Sequence, residues 1–139
     1  MTFLDSELTA AERTDDALFR VIPVPLERTV SYGAGTNLGP AAIIEASNEL
    51  ERITAGKEPC AHGIATEAPL DCDGPLPEVM ERLAARTSAA VTAGKIPVTL
   101  GGEHSLSYGA VMGVARALGQ PIGLVQIDAH ADLRIAYQG

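Results

Sequence analysis

Two short runs, IPVTLGG (96–102) and IGLVQID (122–128), constrain this chain more than any other feature. Each is almost continuously apolar instead of alternating apolar with polar residues. A strand of that kind has both faces covered, as strands do in parallel sheets flanked by helices. Between them, SLSYGAVMGVARALGQP (105–121) reads as a helix stopped by Gly119 and Pro121. Strand, helix and strand in that order call for a crossover connection, and so for a layered α/β fold.

The preceding chain extends the pattern. LFRVIPVPL (18–26) predicts a strand whose end is blurred by its two prolines. ERTVSYGAGTNLG (27–39) is a glycine-rich loop. PAAIIEASNELERI (40–53) predicts a helix with Pro40 at its first position and Ile43, Ala46, Ser47, Leu50 and Ile53 at helical spacing. HGIATEAPL (62–70) reads as a short strand and DCDGPLP as a loop. PEVMERLAARTSAAVTAGK (77–95) predicts a helix along Val79, Leu83, Thr87 and Val91, closed by Gly94. Residues 1–18 read as a polar, partly helical lead. There is no internal repeat or interdomain linker, and 139 residues suit one domain.

Charge narrows the partners. The formal net charge is −8 and the sequence pI about 4.7, which opposes binding to nucleic acid or to an anionic membrane. The same field weakly attracts a cation. No apolar run approaches the ~20 residues of a membrane span. MTFLDSELTAAERTDD lacks the apolar centre of a signal peptide. Cys60 and Cys72, the only cysteines, fit small buried or half-buried side chains in a reducing, cytoplasmic setting.

The chemistry gathers at two strand ends. In open α/β sheets, ligands bind beyond the carboxyl ends of the strands. One apolar run leads into Glu103, His104 and Ser105, the other into Asp128, His130 and Asp132. Residues i, i+2 and i+4 of extended chain face one side, so the last three are expected to project together toward His104. Alanines at 129 and 131 leave room around them. Two imidazoles with two or three carboxylates suit Mn²⁺, and zinc or iron less decisively. A carboxylate bridging two ions would help polarise water into a nucleophile. Taken singly, each residue fits a structural role: His104 as a capping or core histidine, Glu103 as an acid at a helix N-terminus, Asp128 as an N-cap. Jointly they mark a metal site. His62 has no such companions and reads as structural or exposed. The GAG of residues 33–35 lacks the fingerprint and the lysine of a phosphate loop.

TLGGEHS and IDAHADLR resemble two signature motifs of the ureohydrolases, the arginase and agmatinase family. SYGAGTNLGPAAIIEAS resembles that family's N-terminal loop and first helix, and the match runs from about Leu18 to Gly139. The resemblance implies an arginase-like three-layer α/β/α sandwich with a mostly parallel sheet. It also implies two Mn²⁺ ions and hydrolysis of a guanidino compound with release of urea. On the matching positions His104 would bind one ion and His130 the other. Asp128 would bridge them, and Asp132 would bind the first ion and accept a hydrogen bond from the nucleophile. Asp128 and Asp132 are therefore the catalytic candidates. DLR looks agmatinase-like; arginases tend to carry DIN, whose asparagine contacts the substrate's α-carboxylate. Arg134 stands in that place, as the candidate substrate-binding residue. The expected substrate is a small guanidino cation, most simply agmatine cleaved to putrescine and urea, with guanidinobutyrate and arginine as alternatives. Metal-dependent deacetylases share the sandwich, but GGEHS and the final aspartate of DAHAD argue against them.

The resemblance also implies trimers or hexamers and roughly twice this length. Two further metal-binding aspartates, in a motif S-x-D-x-D-x-x-D-P, are absent from residues 1–139. So are a downstream proton-shuttling histidine and an acidic partner for the guanidinium. The expectation is that residues 1–139 form the N-terminal portion of a single ureohydrolase domain, and that Gly139 is not a natural domain end. The chain alone would then be inactive, or a non-catalytic metal-binding chain.

Overall fold

Three parallel strands carry the fold. The structure, a computed structural model that describes residues 1–136, places β1 (Phe19–Val24) between β2 (Ile64–Thr66) and β3 (Ile96–Gly101). Phe19 pairs with Ile64 on one side and Ile96 on the other, and the β1–β3 register continues to Val24 opposite Gly101. Pro23 sits inside this central strand without breaking it, for a local reason. Phe19, Val21 and Pro23 turn their backbone polar groups toward the β2 side, where Glu67 N–H donates to Val21 O at 2.9 Å and Leu70 N–H to Pro23 O at 2.8 Å. By residue 23 strand β2 has ended, so the missing proline N–H leaves no ladder bond unmade.

Successive β1 side chains face opposite layers. Ile22 and Val24 pack with Val79, Met80 and Leu83 of α2 (Leu76–Thr92) and with Leu106. Pro23 lies on the other face with Pro40 and Ile44 of α1 (Gly39–Ala46). α3 (Ser107–Leu118) lies against α2, with Gly109 and Gly113 buried at the contact. The three-layer reading thus holds, with only part of a sheet present. The helix ends follow the sequence. At the end of α2, Gly94 takes φ 71°, its N–H bonds Val91 O at 2.9 Å, and Lys95 N–H bonds Ala90 O at 2.9 Å. These are the two bonds of a Schellman stop.

Four expectations change. The helix expected over 40–53 ends at Ala46, followed by a 3-10 turn at Ser47–Glu49. The Ser47 hydroxyl bonds back to Ile44 O at 2.6 Å and accepts Leu4 N–H at 2.7 Å, while Asn48 Nδ2 donates to Glu45 O at 3.1 Å. Polar side chains that engage nearby backbone compete with helical bonding and stop it here. Burial accordingly falls on Pro40, Ile44 and Ser47, and Ile43, Leu50 and Ile53 are exposed. The polar lead is docked: Leu4 and Leu8 are buried with Cys60, and its regular structure is one 3-10 turn at Ala10–Arg13. Strand β3 is only half-buried, with β1 on one side and no strand on its other edge among the described residues. Residues 122–128 are not a strand: they run without regular structure and, after the half-buried Ile122, exposed, Val125 and Ile127 included. A strand needs a neighbour for its backbone groups and cover for its faces. Neither is supplied to this segment by the described residues.

Candidate metal centre

The site begins where β3 ends. Gly102 lies so close to β1 that a Cβ there would meet Leu26 O at 2.4 Å and Val24 O at 2.7 Å. That approach lets Glu103 N–H bond Leu26 O at 2.9 Å and turns the chain into a 3-10 turn, His104–Leu106, ahead of α3. Glu103 is 5% exposed, and every donor around it is engaged. Oε1 accepts the hydroxyls of Thr29 and Ser105. Oε2 accepts the backbone N–H of Arg28 and, at 2.6 Å, that of Thr29. Burial alone would push this carboxyl up; the bonds from Ser105, Thr29 and Arg28 outweigh it and hold the pKa at about 2. The buried Glu103 is therefore a charge.

The loop after β1 is gripped a second time. Glu27 Oε2 accepts Gly35 N–H at 2.6 Å, the Thr36 hydroxyl at 2.8 Å and Asn37 N–H at 3.3 Å. The Thr36 bond leads in lowering this carboxyl against its partial burial, helped by the backbone donors. Arg28 continues outward, donating to Cys72 O and Gly74 O, while Arg82 takes Asp71 O at 3.0 Å and also Asp73 O.

His104 leaves its turn with a half-exposed side chain, Nε2 lying 2.9 Å from Asp132 Oδ2. One ligand atom each from His104, Asp128 and Asp132 falls within 4.8 Å of the others. The segment that brings the aspartates there is not plain extended chain. Asp128 Oδ1 accepts His130 N–H at 2.8 Å, Gln126 Nε2 donates to His130 O at 3.1 Å, and Asp132 has φ 52°. His130 stands outside the cluster, its side chain 83% exposed and Nδ1 3.7 Å from Asp128 Oδ1. Arg134 is exposed, two residues beyond Asp132. His62 is exposed on a 3-10 turn before β2, at the opposite edge of the sheet. Both cysteines are free, Cys60 buried and Cys72 half-buried.

One imidazole and two carboxylates around a common point fit a hard or borderline divalent cation such as Mn²⁺. The sequence pointed to these residues but not to the grip on Glu103. A charged residue directly after a buried strand was its one visible sign. One partner, Ser105, is two positions on, but the others lie 74 and 75 positions earlier, where no spacing rule reaches.

Known structures share this architecture. An agmatine ureohydrolase of Thermoplasma volcanium superposes with a TM-score of 0.83 at 32% identity, covering 100% of this chain and 46% of that one. The fold is arginase-like. The pattern of the arginase family matches residues 17–139, and the chain belongs to that family. Among curated relatives, an N(1)-aminopropylagmatine ureohydrolase of Synechocystis sp. is 38% identical across 99% of this chain and 47% of its own length. An agmatinase of Bacillus anthracis is 32% identical across 84% of the chain and 41% of its own length. The chain spans about half the length of the curated relatives it matches, or less.

Proposed function

We propose that the protein carrying this chain hydrolyses a guanidino group with release of urea, and that residues 1–139 are the N-terminal portion of its catalytic domain. The observation that carries the reading is the convergence of His104, Asp128 and Asp132 at the carboxyl edge of an arginase-like sheet. These residues and His130 would hold Mn²⁺, two ions in the complete site. When bound, the metal supplies the Lewis acidity that makes water nucleophilic at neutral pH. The need is plain, because a resonance-stabilised guanidinium is a poor electrophile and calls for a positioned attacker. Asp128 and Asp132 would present their carboxylates to the metal, and Asp132 would also accept a hydrogen bond from the attacking water. Arg134 contributes to the substrate end. A net charge of −8 favours a cationic substrate over an anionic one.

Agmatine is the first substrate to try, with N(1)-aminopropylagmatine beside it because relatives of that name reach 38% and 36% identity. The protein is read as cytoplasmic and, when complete, as a trimer or hexamer. Urea release from each amine, with Mn²⁺ and after chelation, tests the proposal on the full-length protein. Expected is metal-dependent urea from at least one of them, abolished by Asp128→Asn and by His104→Ala. No urea from either, or full activity in Asp128→Asn, would sink it.

A further inference from the structure

We infer that Glu103 is the positioning residue of the candidate metal centre and not one of its ligands. The inference rests on the metal-site reading above. Glu103 adjoins His104, and an acidic residue there invites assignment as a ligand. Its oxygens are already committed: Oε1 to two hydroxyls and Oε2 to two backbone N–H groups. Freeing an oxygen for a cation would strand buried donors, each at a cost of about 1–3 kcal/mol. Those four donors come from two places, the loop after β1 and the turn after β3. Glu103 thus locks the turn that presents His104 against Arg28–Thr29, and the Arg28 side chain reaches outward to Cys72 O and Gly74 O. Nothing else named in the site ties these pieces together except the bond from Glu103 N–H to Leu26 O. His104, by contrast, is half-exposed, and among the described residues its tip is held by Asp132. Its aim depends on the backbone that carries it, and Glu103 fixes that backbone.

The test is an NMR titration of the full chain with MnCl₂, following paramagnetic broadening of the three histidine rings. His62, at the far edge of the sheet, is the internal control. In the unaltered chain the His104 ring is expected to broaden at a lower Mn²⁺ concentration than His62. If the two broaden together, the metal-site reading fails and the positioning role falls with it. Where His104 leads, Glu103→Gln is expected to raise the concentration needed roughly 10-fold, as loss of an outer partner does at metal sites. Leu8→Ala, which opens the separate cluster of Leu4, Leu8 and Cys60, lowers stability but leaves the His104 response where it was. Unchanged Mn²⁺ response in Glu103→Gln, or an equal shift in Leu8→Ala, overturns the positioning role while leaving the site standing. Should Glu103→Gln fail to fold, Thr29→Val removes one of the four donors at nearly constant shape. It is expected to weaken the response about threefold, and no change there overturns the proposal equally.

Discussion

Replacing Gly113 by alanine sets two effects of opposite sign against each other. Inside a helix, Gly→Ala gains about 1 kcal/mol from backbone entropy. Here a Cβ would sit 2.0 Å from Thr87 Oγ1, 2.2 Å from Ala84 O and 2.8 Å from Ala84 C. A hydroxyl can rotate away, but the Ala84 carbonyl is backbone in the middle of α2. Relief requires the two helices to part by about 1 Å, which forfeits a quarter to a half of each dispersion contact along the seam. It also stretches the Thr87 Oγ1 contact to Ala110 O, now 3.2 Å. Overpacking of this kind costs about 3 kcal/mol at the upper end of its usual range. The net expectation is a loss of about 2 kcal/mol, or roughly 7 °C in Tm for a chain of this size. Gly109→Ala is the matched control. It makes the same propensity gain, yet its nearest neighbours stand further off, Met80 O at 2.9 Å and Met80 Cα and Sδ at 3.2 Å. It should fall within about 1 kcal/mol of the parent. Urea unfolding of the three proteins decides the matter. A Gly113→Ala chain as stable as the parent, or equal to Gly109→Ala, would refute the claim that the α2–α3 seam is set by backbone contact at Gly113.

Other outcomes follow from the same structure. Glu12 is held at about 2 by the guanidinium of Arg52 first, then by Thr9, against slight burial. A depressed carboxyl stabilises above its unfolded value and loses that contribution as pH falls. Stability should therefore drop between about pH 4.5 and pH 2, and less steeply in Glu12→Gln, read by urea midpoints across that range. Leu83→Ala removes one of the most deeply buried side chains and should cost about 2–5 kcal/mol, measured by the same unfolding. Leu124, Val125 and Ile127 expose apolar side chains, and among the described residues β3 has no strand on its outer edge. The chain by itself is expected to self-associate with rising concentration, and Val125→Lys with Ile127→Lys to suppress this in sedimentation velocity.

Local chemistry was enough to place much of this. Apolar β-branched runs located β1 and β3, and the Val79–Leu83–Thr87 stripe placed α2 with its buried face correctly turned. Gly94 and Gly119 stopped α2 and α3 because an L-residue resists the left-handed conformation each adopts. The DAHAD spacing drew attention to Asp128 and Asp132, which cluster beside His104, since strand ends and ligand types are both written in short stretches; His130, expected to project with them, stands outside because the segment is not plain extended chain. What lay beyond local reading was whatever depended on distant partners. IGLVQI has the composition of a buried strand, yet composition supplies neither a neighbour nor a cover, and the described residues offer it none. Ser47 and Asn48 end α1 early because Leu4 and Ser6 dock on them from more than forty residues away. Glu103 is held as a buried charge by Ser105 beside it and by Arg28 and Thr29, which fold back over it from more than seventy residues away. The period of a sequence reports which way a side chain faces. Which groups meet it there is settled by the tertiary fold, because buried polar atoms take partners wherever the chain brings them.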